Sequence, residues 1–458
     1  MRAIFALVVA LAAVPASAEE SPFSDSQKSY AIPALEIIGF DVALNLFDRQ
    51  YFGCCDFNVT TRSIRRNLRS SWGVDRDPFL VNQLGHPYQG SMYHGFARSA
   101  GLNYWEGLGY TFLASAMWEI AGETTPPSRN DQINTGIGGS FLGEALFRMA
   151  SLVLEHPGDM SPWTRELLAT AVSPPVGFNR FAFGDRYRTI FPSRSPLYFT
   201  RTQFGFSGTT HSQTGNSTTR LRRDEALIDF LIDYGLPGKP DYKYTRPFDY
   251  FSFQATASSA NGFENAFTRG LLAGKEYSGR AHRGVWGVYG NYDYIAPQTY
   301  RVSSTGLSLG TTAQWWIDEN LALVGTVMGG VSYTAAGTGG SHTDNPSEDV
   351  NFHYGLAPHA LVALRLIYGE RAALDLAARE YYVTRVGGPS FGGYDNIVRL
   401  EANLSYRIKK NHAVSVRYLF NRRDATLPGG DVTQQRGTFG LFYTWLGHDL
   451  FGAEKLSR

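Results

Sequence analysis

Residues 195–447 alternate apolar and polar side chains in one short segment after another. Within 397–408, Val398, Leu400, Ala402, Leu404, Tyr406 and Ile408 fall on one face, and Arg399, Glu401, Asn403, Ser405 and Arg407 fall on the other. Neighbouring side chains of a strand point to opposite faces, so the segment presents an apolar surface backed by a charged one. A soluble sandwich would cover that apolar face with a second sheet. Repetition of the pattern, with aromatics near the segment ends, predicts instead a transmembrane antiparallel β-barrel with lipid outside and a polar lumen.

Strands are predicted near 197–209, 224–234, 246–259, 262–276, 283–295, 301–316, 319–334, 351–367, 370–385, 393–408, 411–423 and 435–446. That makes about twelve, an even number as single-chain bacterial barrels have. Tight turns at Asp318-Glu319-Asn320, Gly369-Glu370 and Lys409-Lys410-Asn411 alternate with longer polar loops at 335–349, 387–393 and 424–435. This sidedness suits short periplasmic turns and longer outer loops, with both barrel ends on the periplasmic side. Two connections break the rule: 259–261 is short where a loop is expected, and 235–245 is long where a turn is expected. Outward positions include Val414, Val416, Tyr418, Phe420, Phe439, Leu441, Tyr443 and Trp445. Lumenal positions include Asp229, Asp233, Asn291, Asp293, Gln314, Arg365, Asp375, Arg379, Arg399, Glu401 and Arg417, either lining a conduit or filling a closed barrel with ion pairs. Residues after Gly447 form a C-terminal tail, 448–458.

Before the barrel the period changes from two to helical, giving an α-helical N-terminal domain over about 19–190 that is periplasmic or plug-like. Pro33 is placed for the first turn of a helix running to Phe47. Further helices are expected over about 91–123 and 138–155, and from Ser161-Pro162, where Ser161 caps and Pro162 takes the first helical position. Pro174-Pro175 marks a break. These helices are rich in Gly, Ala, Tyr and Trp and read as packed elements.

The first residues place the chain in the envelope. Residues 1–18 carry one Arg, an apolar run and then Ala16-Ser17-Ala18, the form of a secretory signal cleaved after Ala18. No later run of about 18 strongly apolar residues is uninterrupted; 107–122 comes nearest and contains Glu119. A net charge of +1 gives no reason to expect nucleic acid. Charged residues at 18%, aromatics at 14% and 49 glycines suit lipid-facing strands with interfacial girdles. The two cysteines, Cys54 and Cys55, are adjacent, which argues against a structural disulfide.

The densest polar motifs are WGVDRDPFLVNQLGHPYQGSMYHGFARSAGLNYW at 72–105 and WEIAGETTPPSRNDQINTGIGGSFLGEALFR at 118–148. With SPPVGFNRFAFG at 173–184 and RPFDYF at 246–251, they resemble a family of Gram-negative proteins known only as a domain of unknown function and regarded as outer-membrane barrels. The resemblance implies location and architecture, and no activity.

Chemistry must therefore come from the residues. Glu119 and Glu123 are four apart on an apolar helix and share one face, where two carboxylates repel unless a proton or cation joins them. Ser128 caps the next turn with Asp131 in the capping-box position. Glu144 and Arg148 form an i, i+4 ion pair, and the small residues at 136–143 allow close helix packing. Asp75-x-Asp77 with His86 is a generic metal spacing; His86-Pro87 reads as an extended turn, and His94 as part of an aromatic face beside Tyr93 and Trp105. No G-x-S-x-G elbow and no H-E-x-x-H is present, so the residues imply no metal and no cofactor.

Two readings follow. In one, Asp75, Asp77, His86, Glu119, Glu123, Ser128, Asp131, Glu144 and Arg148 are ion pairs and caps that fix the helical unit of a non-enzymatic barrel. That barrel would pass a small solute or lipid, or serve as an envelope component, with outer-membrane lipid as its partner. In the other, His86, Arg98, Glu119, Glu123, Asp131 and Glu144 form the site of a hydrolase acting on lipid or envelope polymer.

Overall fold

In a computed structural model the described residues are 27–51, 55–156, 158–214, 224–297, 299–338, 352–384, 393–427, 430–447 and 451–455. The expected leader at 1–18, Cys54 and most of the loops at 335–349 and 387–393 lie outside them. The chain divides into two compact units between Arg194 and Ser195, two residues that both adopt positive φ.

The second unit is a closed antiparallel barrel of twelve strands: β1 Tyr198–Thr214, β2 Asp224–Tyr234, β3 Phe251–Ser258, β4 Gly262–Gly279, β5 His282–Ile295, β6 Tyr300–Trp316, β7 Leu321–Thr338, β8 Phe352–Tyr368, β9 Ala372–Thr384, β10 Tyr394–Lys409, β11 His412–Leu427 and β12 Gly430–Leu446. Each strand pairs with its neighbours in sequence, and β1 pairs with β12 to close the ring. Closure leaves no free sheet edge, the condition for crossing lipid with strands. Along β10 and β12 exposure alternates residue by residue: Leu400, Leu404, Tyr406, Leu441, Tyr443 and Trp445 point out, while Arg399, Asn403, Ser405, Phe442 and Thr444 point in. The predicted outward set is exposed, with Phe420 half-buried.

Two expectations need correction. The segment 246–250 is not strand; it turns inward through Phe248 at φ +63°, so β3 starts only at Phe251. The supposed loop at 424–435 is mostly ladder, because β11 and β12 pair as far as Leu427 and Gly430. Within the expected tail, Phe451 is buried in an apolar cluster with Leu197, Phe199 and Leu236.

The first unit is helical: α1 Ala31–Tyr51, α2 Thr61–Asn67, α3 His86–Ser99, α4 Tyr104–Ala121, α5 Arg129–Ile133, α6 Gly139–Glu155, α7 Pro162–Val172 and α8 Pro174–Phe183. Ser29 Oγ accepts the Ile32 N–H at the start of α1. Asn103 and Glu106 form a reciprocal capping box that starts α4, so the helix expected over 91–123 is two helices. The break expected at Pro174-Pro175 falls at the extended Ser173, between α7 and α8, whereas His86 is helical (φ −60°, ψ −46°) rather than extended before Pro87. The run Arg129–Glu155 is long and apolar enough to cross a membrane by length and composition, but it is almost wholly buried. α3 and α6 meet through glycines: a Cβ on Gly139 would sit 2.6 Å from the Gly90 Cα, and one on Gly143 2.8 Å from the His94 Cβ.

Candidate functional site

Two polar centres lie inside the helical unit. The first is built around Glu144, which is fully buried. Its Oε2 accepts from Arg98 Nε at 2.8 Å and lies 3.1 Å from His94 Nε2, and its Oε1 accepts from Arg148 Nε at 2.8 Å. Burial alone would raise the carboxyl, but Arg98, His94 and Arg148 outweigh it and hold Glu144 well below the usual carboxylate range. The two guanidiniums in turn stack over the Phe191 ring, at 5.0 Å for Arg98 and 4.4 Å for Arg148. His94, expected on an aromatic face, packs edge-on against Tyr104 and also serves this carboxylate.

The second centre joins α4 to the start of α5. Glu119 Oε2 accepts the Ser128 N–H at 2.7 Å, and the Ser128 hydroxyl both caps Asp131 N–H at 3.2 Å and donates to the Asp131 carboxylate. The capping box is thus completed by a carboxylate from another helix. His86 Nε2 lies 3.8 Å from Asp131 Oδ1, and His86 Nδ1 is 3.2 Å from Thr135 Oγ1. Burial raises both Glu119 and Asp131, each further raised by carboxylate neighbours. His86 is raised as well, because Asp131, Glu123, Asp75 and Asp77 together overcome its burial. Glu123 does not share a helix face with Glu119, since α4 ends at Ala121. It accepts from Trp118 Nε1 at 2.7 Å and Thr125 Oγ1 at 3.0 Å. Asp75 Oδ2 accepts from the Asp77 N–H at 2.8 Å and from Asn82 Nδ2 at 3.1 Å, a local turn. Among the described residues no three His, Cys, Asp or Glu side chains converge to hold a metal.

The barrel lumen is the larger polar constellation. Arg201 reaches across from β1 to Asp375 on β9 at 2.5 Å, and Arg365 on β8 reaches Asp233 on β2 at 3.0 Å and Asp375 at 2.6 Å. Arg417 lies 3.5 Å from Asp229, Tyr381 donates to Asp293 at 2.7 Å, and Arg399 donates to Asn421 at 3.1 Å. Arg365 and Arg379 each lie 4.0 Å over an aromatic ring, Phe199 and Phe267 respectively. Asn291 donates to Ser308 Oγ at 2.7 Å, and Glu401 lines the same interior cavity as Arg365 and Arg379. The predicted lumenal residues therefore converge, and three cavities that they line measure about 70, 20 and 10 Å³, room for a few waters each at most.

Gln314 was among the predicted lumenal positions, but its partner in the tail and the buried residues of the β2–β3 connection escaped the sequence reading. Gln314 Nε2 donates to the Glu454 carbonyl at 2.7 Å, its Oε1 accepts the Glu454 N–H at 3.1 Å, and Trp316 Nε1 donates to the same carbonyl at 2.8 Å. The tail is thereby tied to the lumenal wall. Leu236, Tyr242, Phe248 and Tyr250, from the over-long β2–β3 connection, are buried as well, and Leu236 and Tyr250 share the Phe451 cluster. The aromatic density of 242–251 was the available signal. The G-x-S-x-G spacing does occur, at Gly306–Gly310, but inside β6, where Ser308 Oγ meets His359 Nε2 at 2.7 Å; it forms no strand-to-helix elbow.

No curated protein matches the sequence. Solved structures similar to this chain include the NanC porin, at 7% identity over 52% of this chain and 98% of that one with a TM-score of 0.27. The KdgM porin is similar at 9% identity over 54% and 98%, TM-score 0.23. The outer membrane channel DcaP of Acinetobacter baumannii is similar at 8% identity over 55% and 96%, TM-score 0.24. In sequence, residues 71–175, which hold His86, Arg98, Glu119, Asp131 and Glu144, match the family model described as a domain of unknown function, DUF3943.

Proposed function

We propose that the protein is a non-enzymatic outer-membrane channel for a small hydrophilic solute, held shut by its own side chains and C-terminal tail. The observation that carries this reading is the pairing of an apolar outer wall with a lumen spanned from strand to strand by charged side chains. A scaffold needs only the wall; a lumen lined with arginines and carboxylates is the surface a polar solute would cross. On this reading the N- and C-terminal ends of the barrel chain face the periplasm, and the mouth where Phe451 and Leu236 pack is the periplasmic mouth.

The helical unit supports the same reading. Glu119, Asp131 and Glu144 are buried and each is matched by a guanidinium, an imidazole or a helix start, as expected of ties that hold helices together. A hydrolase acting there needs an open cleft, so Glu123→Gln with Asp131→Asn in the intact protein should leave envelope-lipid turnover unchanged.

The test of the channel is planar-bilayer conductance of the purified full chain and of a variant ending at Gly447. The full chain is expected to conduct weakly, and the shortened chain to conduct at least tenfold more often. A shortened barrel that folds, by its heat-modifiable migration, and stays silent overturns the proposal.

A further inference from the structure

α1 is inside out. Asp41 and Asp48 are each only 8% exposed and Ile37 3%, whereas Leu35 is 68%, Ile38 47%, Val42 56% and Leu46 57% exposed. At 100° per residue the buried three cluster on one side and the exposed aliphatics form a single stripe on the other, about 16 Å long. A helix of a water-soluble domain turns its carboxylates out and its aliphatics in. Two carboxylates are buried beside Ile37 while four aliphatics are exposed opposite, and Tyr93 donates a hydrogen bond to the buried Asp41, so the fold supports this orientation.

A second observation says what covers the stripe. Arg49 continues it, three residues beyond Leu46; the following α2 carries Arg62 and Arg65, with Arg69 just past its end, all exposed. Among the described residues none of these four pairs with a carboxylate. An apolar stripe that ends in the unpaired Arg49 and is followed in sequence by further unpaired arginines is the pattern that docks on an anionic bilayer: the aliphatics enter the acyl boundary and the guanidiniums meet phosphate headgroups.

From this we infer that α1 and α2 form a membrane-docking face that holds the helical unit on a bilayer leaflet containing anionic phospholipid. The inference rests on the membrane location of the protein but not on channel activity. A protein partner for the same face would have to supply carboxylates to the arginines, and it is one of the outcomes the test separates.

The test uses the full chain in a Cys54→Ser, Cys55→Ser background, spin-labelled at Val42→Cys, in nanodiscs of phosphatidylethanolamine with phosphatidylglycerol. Power saturation compares collisions with oxygen, which concentrates in lipid, against a water-soluble nickel chelate. A label at Leu441→Cys on the outer barrel wall serves as the reference. The expected result is a lipid-type response at both positions. In the same nanodiscs Arg62→Gln with Arg65→Gln should lower the docked-to-undocked ratio on the order of thirtyfold, at about 1 kcal/mol per arginine. A lipid response at 441 with a water response at 42, or with no access of either reagent at 42 because protein covers it, sinks the docking proposal alone. A water response at 441 sinks the membrane reading itself.

Discussion

Gln314 grips Glu454 from both sides: its amide nitrogen donates to the Glu454 carbonyl and its amide oxygen accepts the Glu454 N–H. The two residues are 140 apart in sequence. A side-chain amide that satisfies both backbone groups of one residue acts as a strand partner would, so the tail gains a fixed register on the lumenal wall where no strand continues.

That grip predicts how the tail is released. Gln314→Ala removes both hydrogen bonds, about 1 kcal/mol each, leaving Phe451 and the Trp316 contact. Limited proteolysis of the folded barrel should then remove the residues after Gly447 roughly tenfold faster or more, while the barrel band persists on unheated gels. Unchanged cleavage would show that Phe451 and Trp316 anchor the tail without Gln314.

The lumenal ties should be strong individually. Asp375 takes Arg201 at 2.5 Å and Arg365 at 2.6 Å, so Asp375→Ala leaves two buried guanidiniums short of a carboxylate. Removing one partner of a buried ion pair costs about 3–5 kcal/mol. Here the remaining contacts of Arg201 with Asp229 and of Arg365 with Asp233 keep the expected loss near the lower end. The urea midpoint of the unheated, compact band measures it.

The outer wall makes the opposite demand. Leu441 is 61% exposed between the outward-pointing Phe439 and Tyr443. Leu441→Arg should destabilise the barrel by about 2–4 kcal/mol in a bilayer if the position lies near the membrane midplane. In detergent, where the chain can reach water, most of that penalty should vanish. Equal losses in both media would mean that the face does not meet hydrocarbon.

The barrel was legible because period-two alternation reports both faces of a strand, and over 398–408 of β10 nothing in the sequence interrupts it. What stayed hidden was chain that leaves the ladder and returns. Residues 235–250 and 451–455 hold their places through Tyr, Phe and backbone contacts to distant residues, and no local period encodes such contacts. The helical centres were half legible. Glu144 with Arg148 follows from i, i+4 spacing, but Arg98 and His94 reach the same carboxylate only because α3 crosses α6 at Gly90 and Gly139. Glu119 serves Ser128 because α4 stops at Ala121, an end that the apolar pattern alone ran past.

Glu144 should be needed at every physiological pH. Its folded carboxyl is held below the usual range, so the stability it contributes is fully present above about pH 4.5 and is lost only as pH falls through the depressed folded value. Glu144→Gln should cost about 3–5 kcal/mol, seen as faster amide exchange through α6 in the intact protein. The loss should be the same at pH 5 and pH 8; a loss confined to one of them would contradict the assignment.

Asp41 predicts the reverse slope. Burial raises its carboxyl to about 7 even though Tyr93 donates to it, and its second oxygen is buried without a partner. Between the ordinary aspartate range and about 7 the folded state therefore binds more protons than the unfolded chain, and stability falls as pH rises through that window. Amide protection along α1, corrected for intrinsic exchange, should be greater at pH 5 than at pH 8. Asp41→Asn keeps an acceptor for Tyr93 and carries no charge, so it should flatten that difference and protect α1 by about 1–3 kcal/mol over wild type at pH 8, with little change at pH 5. Protection that is equal at both values in the wild type, or an Asn variant that loosens α1 at pH 8, would mean that Asp41 is not held as the buried acid on which the reversed helix depends.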